Sequence, residues 1–153
     1  MKEIVKERTN VEKYKVYQAT DGTEFMNYAE CKVYEESALG VVRGNISKLI
    51  VGRGVNAWDL MGGNDDNSVI ALKMNCAADV DLVKQLFLME HPYYNEDNRV
   101  LLKQEKFNTI EEAYNNNDVL LFGINCDGDY YFINSRQNII DNLNNLTKKK
   151  DTL

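Results

Sequence analysis

The sequence predicts an α+β fold: a small antiparallel or mixed sheet with helices packed mainly on one face. Three observations carry this. Tyr14 to Glu36 reads as strand, tight turn, strand and long helix. Val119 to Asn125 is an almost wholly apolar run, followed by Asp127-Gly128 and a returning run from Tyr130 to Ile133. There is one proline, and punctuation falls on glycine and asparagine instead. With 153 residues, 44% of them hydrophobic, the chain can build a core of its own and reads as a single domain over 1–153.

Taken in order, residues 1–12 are highly charged and read as a frayed arm. Asp21-Gly22 between two strand-like runs predicts a hairpin with a type I′ turn, because glycine accepts φ > 0 without steric cost. Asn27 is placed to cap a helix, with Glu30 completing a capping box. In the long helix that follows, Cys31, Tyr34, Ala38, Val42 and Leu49 share one side, the spacing of a core stripe. Val33, Ser37, Gly40, Gly44 and Ser47 share the other. That small-residue stripe has two readings. It is a surface where a second subunit approaches closely through Ser37, Gly40 and Gly44, or Gly40 is a C′ glycine that ends the helix. A glycine inside a helix costs roughly 1 kcal/mol, so either reading needs a cause.

The run Tyr17-x-Ala19-x-Asp21-Gly22-x-Glu24-Phe25, followed by Glu30-Cys31-x-x-Tyr34-Glu35, resembles the opening of small accessory proteins carried by phages and prophages of Gram-positive and gut bacteria. The resemblance implies a bacterial cytoplasm, a mobile element, and a role against host defence. It attaches no catalytic residue to the motif.

Residues 51–67 read as a long glycine-rich loop holding Gly52, Gly54, Gly62, Gly63, the one tryptophan and the pair Asp65-Asp66. Structureless loops of that length in a compact domain are often functional. Ser68 to Asn75 reads as a strand. Asp79 caps a helix in which Val83, Leu86, Phe87 and Glu90 share a side, and Pro92 stops it. Val100 to Lys103 reads as a short strand. Thr109-x-x-Glu112 reads as the capping box of a short helix ended by Asn115-Asn116-Asn117. Ser135 caps a last helix whose Ile139, Leu143 and Leu146 share a face.

Charge narrows the function classes. The net charge is −6, and residues 51–100 carry four basic against eight acidic side chains. Such a chain is repelled by nucleic-acid phosphates unless it has a separate basic patch. The single basic run, Lys148-Lys149-Lys150, complements the dipole of the last helix. No run approaches the length of a membrane span, and the first ten residues lack the apolar stretch of a secretory signal. Cys31, Cys76 and Cys126 are odd in number and far apart, as in a reducing cytosol.

Candidate chemistry is sparse. Zinc needs clustered Cys and His, and the one histidine, His91, stands beside Pro92 at a helix end as a surface or packing residue. Asn64 to Asn67 and Asp127 to Asp129 are oxygen-rich but lack EF-hand spacing, and read as a solvated loop and a hairpin turn. Gly52-Arg53-Gly54 hints at a phosphate cradle without either phosphate-loop signature; a connector is the simpler reading. Arg53 and Trp58 together fit an interface anchor, although Trp58 fits slightly better as a pin holding the loop to the core.

These readings predict a binding protein without enzyme activity, cofactor or metal. The leading expectation is stoichiometric capture of a host protein, a defence nuclease such as a CRISPR effector, through Arg53, Trp58, Asp65 and Asp66. The alternative is an oligomer that sequesters a nucleotide-like signalling ligand, joined through the Gly40/Gly44 face.

Overall fold

The computed structural model describes residues 1–7, 13–56, 68–124 and 133–148. The fold is α+β, with two antiparallel sheets and five α-helices among the described residues. The first sheet has the order β1-β2-β3, from β1 (Lys2–Glu7), β2 (Lys13–Gln18) and β3 (Glu24–Phe25). The expected frayed arm is therefore a strand over 2–7, paired with β2 from Lys2↔Gln18 to Glu7↔Lys13. Its charges suit an outermost strand, whose free edge is kept from pairing with other chains by charged side chains.

The hairpin forms where expected, with a longer turn. Ala19 and Thr23 close it (Ala19 N donates to Thr23 O, 2.8 Å), and Gly22 N donates to Ala19 O at 3.0 Å. Gly22 alone takes the left-handed conformation, φ 96°. This is a three-residue loop, a turn followed by a left-handed glycine, rather than a two-residue type I′ turn.

The long helix is two helices, α1 (Tyr28–Glu36) and α2 (Ala38–Ser47). Asn27 caps α1, its Oδ1 accepting from Ala29 N at 2.7 Å. Ser37 breaks the run. It is extended, and its Oγ accepts from Gly40 N (3.0 Å) while donating to Tyr34 O (2.5 Å), ending one helix and opening the next.

The second sheet, order β4-β5-β6-β7, carries the core. Its strands are β4 (Ile50–Asn56), β5 (Ser68–Leu72), β6 (Leu120–Ile124) and β7 (Ile133–Ser135). The stretch expected as a loop over 51–67 thus begins as an edge strand. Pairing of Leu72 with Leu120, Ile70 with Phe122, and Phe122 with Ile133 puts these five side chains on one face. Against it lie Val42 and Ile46 of α2, Val83, Leu86 and Phe87 of α3 (Ala77–Glu90), and Ile110 and Ala113 of α4 (Val100–Asn115). Each large apolar side chain sealed there contributes about 1.5–3 kcal/mol over its exposed state.

Asp79 caps α3 by reaching back from the helix's first turn, accepting from Asn75 N (2.8 Å) and Cys76 N (3.2 Å). Pro92 ends α3 and opens a 3-10 turn, Pro92–Asn95. Val100 to Lys103, expected as a strand, is the first turn of α4, and Thr109 lies mid-helix with its hydroxyl donating to Glu105 O at 3.1 Å. The asparagines do end α4: Asn117 takes φ 51°, and Asp118 N donates back to Ala113 O. Ser135 caps α5 (Arg136–Lys148), its Oγ accepting from Asn138 N, and the buried Asp118 carboxylate accepts from Gln137 N at 2.7 Å. Leu143 and Ile140 on α5 stay exposed. Among the described residues no helix is long and apolar enough to cross a membrane.

Candidate functional site

The two sheets meet at a cleft of about 210 Å3, bounded by the β2–β3 turn, α2, α3 and the start of the second sheet. Its position follows from Gly22 and Ser37. The glycine turn swings Asp21 toward α1, and the Ser37 break redirects α2 so that Arg43 faces α3.

One wall is polar, with Asp21, Arg43 and Glu90 linked through the Tyr34 hydroxyl. Asp21 accepts from Thr23 N and Thr23 Oγ1, both at 3.0 Å, and from the Tyr34 hydroxyl at 2.7 Å. The same hydroxyl accepts from Arg43 Nη1 at 3.2 Å. Arg43 then donates Nε (2.7 Å) and Nη2 to Glu90 Oε1. Arg43 and Glu90 are half-buried, 27% and 22% exposed at their side chains. Burial works against the Arg43 charge, but hydrogen bonds to Tyr34 and Glu90, with the Glu90 charge, more than offset it and hold the guanidinium more basic than usual. Burial and then the bond to Asp21 push the Tyr34 phenol up, so it stays a donor.

The floor is apolar: Ile46, Ile50, Ile70 and Leu86. Arg53 stands at the mouth, exposed, with no hydrogen bond or ion pair to any described residue. A β-bulge puts it there. Ile50 pairs with Leu72 and Gly52 with Ala71, its sequence neighbour. Cross-strand partners share a face, so Ile50 and Gly52 lie on opposite faces although two residues apart. A second register shift follows between Gly52 and Val55, and Arg53, in the irregular stretch between them, lines the cleft with Ile50 and Ile70, as bulges that re-aim a side chain do.

Of the residues singled out in the sequence, Arg53 thus lines the cleft. Trp58, Asp65 and Asp66 lie outside the described residues, as do Cys126 and the Asp127-Gly128 turn. Ser37 is the cap of α2. Gly40 and Gly44 of the small-residue stripe are both buried in the chain's own fold. A Cβ on Gly40 would stand 2.0 Å from Tyr34 O, and one on Gly44 would meet Thr20 at 3.5 Å. Close approach is real here, and within the chain it is α1 and the hairpin that approach. Gly40 does not end a helix.

His91 is buried among the rings of Phe87, Tyr93 and Tyr94, and burial lowers its pKa, with Glu90 opposing. Cys31 is buried, with its thiol pushed up by desolvation, whereas Cys76 is exposed. Among the described residues no group of three His, Cys, Asp or Glu side chains is placed to hold a metal ion.

The Arg43–Glu90 contact has one sequence signal. Arg43 is the single charge in ALGVVRGNIS, and Glu90 lies on the apolar side of α3. A charge on the apolar side of each of two helices invites pairing, since isolated buried charges are costly. Compared with known proteins, the chain matches no family model, no curated protein and no solved structure.

Proposed function

We propose that this chain is a phage- or mobile-element-encoded binding protein without enzyme activity that inhibits a host factor by stoichiometric capture. The target class is a component of anti-phage defence such as a CRISPR effector. The observation that carries the capture reading is the cleft, with its apolar floor, balanced formal charge and one open guanidinium, Arg53. An apolar socket with a polar rim suits the anchor side chains that dominate protein interfaces. The identity of the target class rests on the resemblance of Tyr17 to Glu35 to phage accessory proteins, and the net charge of −6 suits competition for a basic nucleic-acid groove.

The nucleotide-sequestering oligomer has less support. The cleft is smaller than the roughly 300 Å3 at which pockets for small-molecule ligands begin. Two carboxylates share it, and Arg43 is already engaged by Glu90. The glycines that would join subunits are buried.

The test is native mass spectrometry of the purified chain with purified defence effectors, alongside the Arg53→Glu variant. A one-to-one complex that weakens with Arg53→Glu is the expected result. A complex indifferent to Arg53 would remove the cleft from the interface, and a small-molecule adduct on a defined oligomer would favour the sponge. Asp65→Lys with Asp66→Lys is expected to slow association at low salt, read by stopped flow.

A further inference from the structure

We infer that the cleft is a receptor for an aliphatic side chain presented beside a carboxylate on a partner polypeptide. This deepens the capture reading and rests on it. Hydrogen-bonding capacity decides the chemistry. Asp21 already accepts three hydrogen bonds, and the Glu90 Oε1 atom takes two donors from Arg43. Among the described residues, Arg53 is the charged lining group whose donors have no partner. A guanidinium in that state is met best by a carboxylate, which can accept two parallel N–H bonds.

The floor decides the rest. Ile46, Ile70 and Leu86 are almost fully buried, so the surface they show the cleft is the small remainder that a partner's side chain would cover. A bare phosphate would leave that surface wet and would bring more negative charge toward Asp21 and Glu90 than a single carboxylate does. A lysine or arginine would face Arg53 and Arg43. An aliphatic group with a carboxylate next to it satisfies floor and mouth together. The strand that carries Arg53 is also the outer strand of its sheet, so an extended segment alongside β4 would present alternate side chains to the cleft.

The experiment is a methyl-labelled titration of the full chain, read by NMR. The probe is a short peptide, acetylated and amidated, with Leu and Glu two positions apart among glycines, so that an extended backbone turns both to one face. Two control peptides replace Glu by Gln or Leu by Ser, and free 4-methylpentanoate is the small-molecule arm. The expected result is movement of the Ile46, Ile50, Ile70 and Leu86 methyl signals with the peptide that carries both Leu and Glu. Either peptide replacement, or Arg53→Gln in the protein, is expected to weaken binding about tenfold, the effect of losing one charge-assisted pair or one apolar anchor. Arg53 is exposed, so Arg53→Gln keeps the unliganded methyl spectrum. Unmoved methyls, equal binding of the Gln peptide, or an indifferent Arg53→Gln variant would each overturn the proposal. Response to the free acid without the peptide would assign the cleft to a metabolite and overturn it too. These results score the ligand chemistry of the cleft, whereas capture is scored separately on intact complexes, which can persist when the peptide does not bind. Loss of every such complex with peptide binding intact would remove capture alone.

Discussion

Around the four-stranded sheet, Leu72, Phe87, Ile110, Leu120 and Phe122 are sealed from water, whereas among the described residues of 1–36 the buried apolar side chains are Val16, Ala19 and Cys31. The two regions are therefore held by different forces. The second sheet and its helices are fixed by apolar burial spread over many contacts. The first sheet is fixed by apolar contacts at a few points and by individual polar links: Asp21 to Tyr34, Tyr34 to Arg43, Arg43 to Glu90, and Thr20 N and Oγ1 to Glu35 at 2.9 and 2.8 Å. A core held by area tolerates loss of single hydrogen bonds. A unit held by named links does not. Because the cleft lies on the seam, its shape depends on the weaker of the two.

The largest expected effect is on the stronger side. Phe87→Ala removes a fully buried ring that touches Tyr94 (centroids 4.8 Å) and Phe107 (6.2 Å). It is expected to cost about 3–5 kcal/mol in urea unfolding. A loss near 1 kcal/mol would mean that the core yields as the first sheet does, and the contrast would fail.

Next comes the joint between the regions. Gly40→Ala places a methyl 2.0 Å from Tyr34 O, a backbone atom that cannot swing aside. The α1–α2 corner must open, at about 1–3 kcal/mol by analogy with overpacked cores. Circular dichroism should keep its helical signal while the urea midpoint falls.

Tyr34→Phe then breaks the polar chain without altering the corner. It leaves Asp21 and Arg43 each short of one partner, for about 1 kcal/mol. Hydrogen exchange should speed up over 13–25 and stay unchanged in the β5 and β6 amides. Uniform acceleration would show that the two regions open together.

How far these features were legible follows from where their causes lie. The glycine turn, the Asn27 cap, β6 and the asparagine stop of α4 have local causes, a φ requirement, a capping oxygen or an apolar run, and the sequence displays them. β1 was missed because KEIVKE has two apolar residues, and its stability comes from pairing with β2, which is not written in the segment. The first turn of α4 was misread because Val100-Leu101-Leu102 looks like a buried strand, yet all three are exposed. Arg43 and Glu90 are 47 residues apart, and nothing local links them. Arg53 was found from its glycines, but its direction comes from a bulge that exists only in the pairing with β5.

Acid should separate the regions by pH. Burial lowers the pKa of His91 below its ordinary 6.5, so its neutral form is the one the fold favours. That contribution is intact above the unfolded value and is lost as pH falls below 6.5 through the folded value. Glu35 is lowered from 4.5, first by the hydrogen bond from the Thr20 hydroxyl, so its contribution survives to lower pH and fades below 4.5. Thermal melts across pH should show a decline below 6.5 that His91→Gln flattens, and a second below 4.5 that Glu35→Gln flattens. A single decline untouched by His91→Gln would place the acid sensitivity elsewhere.

Gly44→Ala is the finest probe. Gly44 is buried like Gly40, but its added Cβ would lie 3.5 Å from Thr20 Cβ and 3.6 Å from Thr20 Cγ2, ordinary van der Waals distances. The helix gains from alanine, by up to about 1 kcal/mol, since glycine is the more costly residue in a helix interior. The two nearly adjacent glycines should therefore move stability in opposite directions, down at 40 and slightly up at 44. If Gly44→Ala instead destabilises, the hairpin cannot shift away from α2, and the first sheet is packed more tightly than its sparse core implies. If it changes the oligomeric mass, Gly44 meets another copy of the chain, and the contact with Thr20 is not the reason a glycine stands there.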